Sequence, residues 1–322
     1  SDKIEQVIQP RPTSVMDFEM GLKELERQLI NQGITTIFHS ISLYKEDYFG
    51  ASELRYKKNV LKLAELINNI HERHHLIHHR LHLRIEIDNL EAFDIVSKML
   101  REKTVHQISF MDHTPGQGQY RDIETYRKTI TAYHGETVTT LGFDGVLEQH
   151  KNKRMLSFEQ LRELAELAKA NRIPVASHDD DTAAKLQVNK ELGVQISEFP
   201  ITIDVAKQAR QLGLATVVGA PNILLGGSHT GNLSAAEAVK EGCADILCSD
   251  YYPAAMLHSI FIMHKQHGVP LPEIVRKLTL NPARAMCIDD DYGALAVGKK
   301  ADLLIVKILD GYPVITHALV DG

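Results

Sequence analysis

Seven short apolar runs, each followed by a longer stretch with helical periodicity, constrain the fold of this chain more than any other feature. They are Gly33 to His39, Arg80 to Ile87, Val105 to Met111, Ile173 to Ser177, Gln195 to Phe199, Ala215 to Gly219 and Ala244 to Cys248. Runs of this kind suit strands covered on both faces, and strands separated by helices pair in parallel. In the intervening stretches, Ser157 precedes Leu161, Leu164, Leu167 and Ala168 at helical spacing, and further helices begin at Thr202 and near Leu233. The pattern predicts an α/β protein, a (β/α)8 TIM-type barrel, a fold that reaches the 322 residues of this chain as one domain. Seven strands then place the barrel's first strand just before residue 1.

A barrel of this type gathers its active site at the carboxyl ends of its strands. Four of the runs carry metal-binding residue types there: Ser177-His-Asp-Asp180, Met111-Asp-His113, Cys248-Ser-Asp250, and Glu86 within His82 to Ile87. One histidine beside acidic residues reads equally well as a loop histidine. Recurrence at four strand ends is what a metal site of nitrogen and oxygen ligands requires, and such a site predicts hydrolysis, because a bound divalent ion brings the pKa of its water toward about 7. Asp112, Asp179, Asp180 and Glu198 flank these positions as supporting carboxylates, Asp180 or Asp179 serving the helix that starts near Thr182.

The formal net charge of −6 argues against nucleic acid as a partner, since backbone recognition needs a contiguous basic face. No run of about 18 apolar residues spans a bilayer, so no membrane partner is expected either. Cys243, Cys248 and Cys287 form no CxxC pair and read as reduced thiols of a cytoplasmic protein. A small polyanion remains open as a ligand. The loop from Gly219 to Asn232 is rich in glycine and small polar residues and leads into a helix; it reads either as a plain connection or as an anion cradle with Asn222, Gly226, Gly227, Ser228 and His229 as its contacts. Arg11, Arg80 and Arg84 are the cationic candidates, because guanidinium forks match phosphate oxygens in pairs. The histidine-rich run from His71 to His79 reads as a solvated helix end rather than a metal site. The tail from Asp291 changes to alternating and β-branched residues through Val314-Ile-Thr-His-Ala-Leu-Val320, and reads as half of a small β-domain.

Several longer motifs carry a family resemblance: Gln9-Pro-Arg-Pro12, His79-Arg-Leu-His-Leu-Arg84 with Glu86, Met111-Asp-His-Thr-Pro-Gly-Gln117, Ala176-Ser-His-Asp-Asp180, Gly219-Ala-Pro-Asn222, Gly226-Gly-Ser-His-Thr-Gly-Asn232, Ser249-Asp-Tyr-Tyr-Pro253, and Asn281-Pro-Ala283 followed by Gly298-Lys-Lys-Ala-Asp302. End to end, the chain resembles the metal-dependent amidohydrolase superfamily, and within it the diphosphatases of phosphonate metabolism. The resemblance implies a barrel over residues 1–288, with 289–322 as the remaining part of a small β-domain built from both chain ends. It makes Asp2 the carboxylate of a His-x-Asp pair whose histidine precedes Ser1.

The implied metal ligands are Asp2, Glu86, His113, His178 and Asp250, with Glu86 bridging if two ions bind. Asp250 doubles as the catalytic proton acceptor. One or two divalent ions are expected, Zn foremost, with Mn, Fe or Ni also suited to imidazole and carboxylate. The implied substrate is a small phosphorylated ribose phosphonate, attacked at the α-phosphorus of its 5-triphosphate with loss of pyrophosphate. Leu225 stands where the family often has Arg, which predicts a different grip on the polyphosphate. A homo-oligomer is compatible with the resemblance. Two other readings fit the same ligands: a C–N hydrolase such as a deacetylase, and a ligand-binding barrel without turnover.

Overall fold

The computed structural model describes residues 2–11, 15–43, 53–71, 75–116, 153–227 and 233–322, with positions 118, 124, 127, 145 and 148. Each of the seven runs forms a strand: β1 Thr36–Leu43, β2 His78–Glu86, β3 Gln107–Met111, β4 Val175–His178, β5 Ile196–Glu198, β6 Ala215–Gly219 and β7 Ile246–Cys248. They make one sheet in the order β1-β2-β3-β4-β5-β6-β7, every pair parallel. The first strand starts later than its sequence suggests. Gly33 is still in the turn that ends the helix Phe18–Ile30, at φ 82°, with its N–H donating to Ile30 O.

Between the strands run helices with the caps their sequences offer. Ser157 opens the helix Phe158–Ala170 with a reciprocal box: its Oγ accepts from Gln160 N, and Gln160 Oε1 accepts from Ser157 N. Thr202 and Ser234 cap Ile203–Gln211 and Ala235–Lys240.

Strand β2 shows how this sheet divides its faces. Its outward residues Leu81, Leu83 and Ile85 are fully buried against the helices, each contributing roughly 1.5–3 kcal/mol of burial. Its alternate residues His78, Arg80, His82, Arg84 and Glu86 form a polar ladder along the inner face. Apolar packing inside the sheet comes from the other side, where Ala176, Ile196, Val217 and Ile246 form a small cluster joined by Met286. The inner face is therefore polar along β2 and apolar across β4 to β7.

Strands β8 Leu303–Leu309 and β9 Tyr312–Leu319 form a separate antiparallel hairpin. Its turn is Asp310-Gly311, both at positive φ, which matches the twist of a two-residue hairpin connection. The fold is thus a TIM-like α/β barrel sheet with an added C-terminal antiparallel hairpin.

Candidate active site

At the carboxyl ends of the strands, Glu86 closes β2, His113 follows β3, His178 closes β4, Glu198 closes β5 and Asp250 follows β7. Parallel pairing in register brings them level, since Glu86 pairs with Met111, and His178 with Glu198. His113 Nδ1 lies 2.9 Å from Glu86 Oε2. Burial works against a charge on His113, but the Glu86 carboxylate outweighs it and raises the imidazole pKa. His178 Nδ1 lies 2.7 Å from Asp179 Oδ2, out of line for a hydrogen bond, and the His178 ring packs on Phe199 at 5.1 Å. Asp179 is buried, which opposes its charge, yet the neighbouring His178 and His113 hold its pKa below the usual carboxylate range.

Asp250 approaches from the far side. It stands in the turn after β7 at φ 48°, and its carboxylate reaches over the end of β6. A Cβ built on Gly219 would meet Asp250 Oδ2 at 3.2 Å and the Phe199 ring at 3.4 Å. Gly219 is therefore the space that lets Asp250 sit above the sheet. Gly219→Ala is expected to displace the carboxylate by a few tenths of an ångström and lower kcat about tenfold, while changing stability by less than about 1 kcal/mol. Steady-state kinetics beside urea unfolding checks this.

A cavity of about 1290 Å³ runs along the inner face of the sheet, lined by Arg84, His178, Asp179, Glu198 and Asp250 toward its carboxyl end. Glu86 and His113 line a separate small pocket with Asp112 and Lys153. The two groups are electrically adjacent, for Asp179 and Arg84 both act on His113. Two observations fit this end of the sheet to a divalent ion. Glu86 Oε1 is buried without a hydrogen-bond partner, and His178 Nδ1 is buried without an aligned one. Imidazole and carboxylate donors of this type could hold such an ion. Asp2 opens the helix Asp2–Ile8, and its side chain lies outside the described residues.

Below this layer the inner face of β1 to β3 carries polar contacts. His82 bridges Ser40 Oγ at 2.7 Å and Ser109 Oγ at 2.9 Å, joining β1, β2 and β3. Burial, reinforced by Arg84, pushes its pKa well below the ordinary histidine value. Gln107 Nε2 donates to Glu198 Oε1 at 2.8 Å, and burial raises the Glu198 pKa. Sequence reasoning missed His82 as a network centre. The signal was the two-residue alternation in His78-His-Arg-Leu-His-Leu-Arg-Ile-Glu86, which puts every second polar residue on one face.

Several expectations change once the geometry is visible. Neither Asp179 nor Asp180 caps the helix Ala183–Glu191; Thr182 does this itself, accepting from Lys185 N. Asp180 is fully buried instead and accepts from Ser177 Oγ, Ser197 Oγ and Asn189 Nδ2, so it clamps β4 to β5 from the helix side. Asp112 accepts from Thr114 N in the loop after β3.

Of the loop residues, Asn222 Oδ1 accepts from Ala235 N, which fixes the start of Ala235–Lys240. Gly226 N donates to Ile223 O and Gly227 N to Asn222 O, so both N–H groups close the turn. Ser228 and His229 lie outside the described residues. Arg84 lines the cavity, its Nε buried without a partner. Arg80 sits four residues below it, roughly 13 Å along the strand, near Tyr292 and Asp291. Arg11 is exposed beyond the first helix, and neither it nor Arg80 lines that cavity.

With that geometry in view, the class follows: the sequence profile of the Amidohydrolase family matches residues 27–322, and the chain belongs to this family of hydrolases. A particular relative is the alpha-D-ribose 1-methylphosphonate 5-triphosphate diphosphatase of Escherichia coli (strain K12), 32% identical over 330 residues, covering 100% of this chain and 84% of that protein. Solved structures share the fold at lower identity. The N-acetylglucosamine-6-phosphate deacetylase from Pasteurella multocida superposes with a TM-score of 0.59 at 10% identity, over 94% of this chain and 79% of the other. A Xaa-Pro dipeptidase with bound methionine gives 0.58 at 14% identity, over 97% and 80%. Among the described residues no helix is long and apolar enough to cross a membrane.

Proposed function

We propose that this chain hydrolyses the 5-triphosphate of α-D-ribose 1-methylphosphonate to the 5-phosphate and pyrophosphate, a step in phosphonate breakdown in the cytoplasm. The observation that carries the reading is the full-length likeness to the Escherichia coli diphosphatase. The reaction asks for a cation beside the phosphates, a proton acceptor beside the attacking water and donors for a divalent ion. Arg84 supplies the first from the inner face of β2, where it lines a cavity large enough for a nucleotide-sized anion and its buried Nε has no hydrogen-bond partner.

Glu86, His113, His178 and Asp250 are the residues that would hold the metal, of which Zn suits the set best. When bound, it supplies a water acidic enough to lose its proton near neutral pH and offsets charge on the phosphoryl oxygens. Asp250, poised over Gly219, accepts the proton of the attacking water as the water oxygen bonds to the α-phosphorus and the bond to the bridging oxygen of pyrophosphate breaks. Phe199 walls the site beside His178 and limits water there.

Phosphorus NMR of the intact protein with the triphosphate tests the reading: one equivalent of pyrophosphate and the ribose 5-phosphate are expected. Orthophosphate as first product refutes attack at the α-phosphorus, and no turnover of the triphosphate beside cleavage of N-acetyl substrates would replace the reading with a deacetylase. Arg84→Gln is expected to raise KM for the triphosphate roughly 10–100-fold, the loss of a charge-assisted hydrogen bond of about 1.5–3 kcal/mol, with a smaller change in kcat.

A further inference from the structure

We propose that His75, His78, Asp302 and Asp321 form a second divalent-metal site, at the amino-terminal end of the barrel sheet, which clamps the C-terminal hairpin onto β2. A ring nitrogen of each histidine and a carboxylate oxygen of Asp321 all lie within 4.8 Å of one another. Asp302 adds a fourth donor, its Oδ2 3.1 Å from His78 Nε2, and Asp321 Oδ1 stands 3.9 Å from the same nitrogen. Donors around a tetrahedral zinc ion are about 3.4 Å apart, so the set closes on an ion with side-chain movements on the order of 1 Å. Two imidazoles and two carboxylates are a zinc-type donor set rather than a calcium- or magnesium-type one.

The surroundings are those of a built site. His78 is 2% exposed, and Asp302 Oδ2 is buried with no aligned hydrogen-bond donor. The ring of Tyr292 packs edge-on against His78 at 4.9 Å and walls one side. His75 packs edge-on at 5.3 Å from the other. Asp321 is exposed, which provides the route in, and Lys300 Nζ lies 3.0 Å from it on a half-exposed stem able to swing away.

This cluster is distinct from the one at the carboxyl ends. His78 begins β2 and Glu86 ends it, about 26 Å along the strand. The topology gives the ion a structural task, because Asp302 immediately precedes β8 and Asp321 follows β9 by two residues. A single ion would hold both ends of the hairpin against the barrel. This revises the reading of the His71 to His79 run as a solvated helix end: β2 starts two residues before Arg80, which turns His78 inward and sets His75 beside it.

Calorimetric titration of the full chain with Zn²⁺, together with zinc content after dialysis, tests the proposal in three forms: the parent, His75→Gln/Asp321→Asn, and His178→Asn as a probe of the other end. Both double-variant positions are partly or fully exposed, so the fold should persist, and circular dichroism checks that it does. The expected result is that the double variant binds one Zn²⁺ fewer than the parent, or binds it at least tenfold more weakly, and loses a Zn²⁺-dependent rise in Tm that His178→Asn retains. Equal stoichiometry, affinity and Tm response in parent and double variant would overturn the proposal, as would a parent whose whole zinc uptake disappears with His178→Asn. Lys300→Met supplies a second measurement if the double variant misfolds: removing the competing ammonium should tighten Zn²⁺ binding, and unchanged binding counts against the site.

Discussion

Asp250→Asn is expected to lower kcat by roughly 10²–10⁴-fold while leaving the protein folded and its substrate affinity within a few-fold of the parent. The carboxylate stands in an exposed turn beyond β7, so exchanging one oxygen for an amide nitrogen costs little packing. What it removes is the proton acceptor beside the attacking water. Amide nitrogen neither takes a proton at neutral pH nor serves as a carboxylate ligand, so both roles given to Asp250 are lost together. Single-turnover kinetics separates chemistry from binding. If kcat is retained and KM alone rises, Asp250 is a binding residue and the proton has another acceptor. His178→Asn offers the comparison: it should reduce both the metal content of the carboxyl-end site and turnover, whereas Asp250→Asn should affect turnover more than metal content.

The second large effect is loss of stability in mild acid. Burial depresses the pKa values of His39, His79 and His82 below the ordinary 6.5, assisted at His39 by the neighbouring His79 and at His82 by Arg84. The fold disfavours the charged form of all three rings. His39 Nε2 lies 2.8 Å from His79 Nδ1, and His79 Nε2 lies 3.1 Å from Glu26. A depressed folded pKa means stability that is present above the unfolded pKa and lost as pH falls below it. Below about pH 6.5 the unfolded chain therefore binds protons at these three sites more readily than the folded chain does. Glu198 acts the other way: burial raises its pKa, so the folded chain holds a proton there to higher pH than the unfolded chain, whose carboxyl loses it above about pH 4.5.

Three groups against one leave a net loss of stability as pH falls from roughly 6.5 toward 4.5, at no more than about 1.4 kcal/mol per pH unit for each proton in excess. Set against a typical total stability of about 5–15 kcal/mol, a loss on this scale is large enough to measure. Urea midpoints measured at half-unit intervals from pH 7 to 5 should fall steadily, and His82→Gln should flatten the slope. A midpoint independent of pH over this range would refute the account.

The strand pattern was legible in the linear chain because parallel strands covered on both faces are apolar throughout, and such runs show without knowledge of their neighbours. Candidate ligands were legible for a related reason: His113, His178 and Asp250 stand where the apolar character stops, and strand ends are where loops leave a barrel sheet. The caps at Ser157, Thr202 and Ser234 are local hydrogen bonds within four residues, so they too could be read directly.

Partners across the fold could not be read this way. Asp180 looked like a helix-cap residue, yet Ser197, seventeen positions away, and Ser177 claim its carboxylate once β4 and β5 lie side by side. Arg80 and Arg84 looked equivalent, but four residues of strand rise separate a cation beside Tyr292 from one in the catalytic cavity. The meeting of His75 and His78 with Asp302 and Asp321 spans more than two hundred residues, and it exists because the hairpin packs under β2. Period and composition act over one turn of helix or a few strand residues, which is why the chain alone settles its strands, caps and hydrolase family. Which carboxylate meets which imidazole depends on sheet register and on where the tail docks, and packing over the whole molecule sets both.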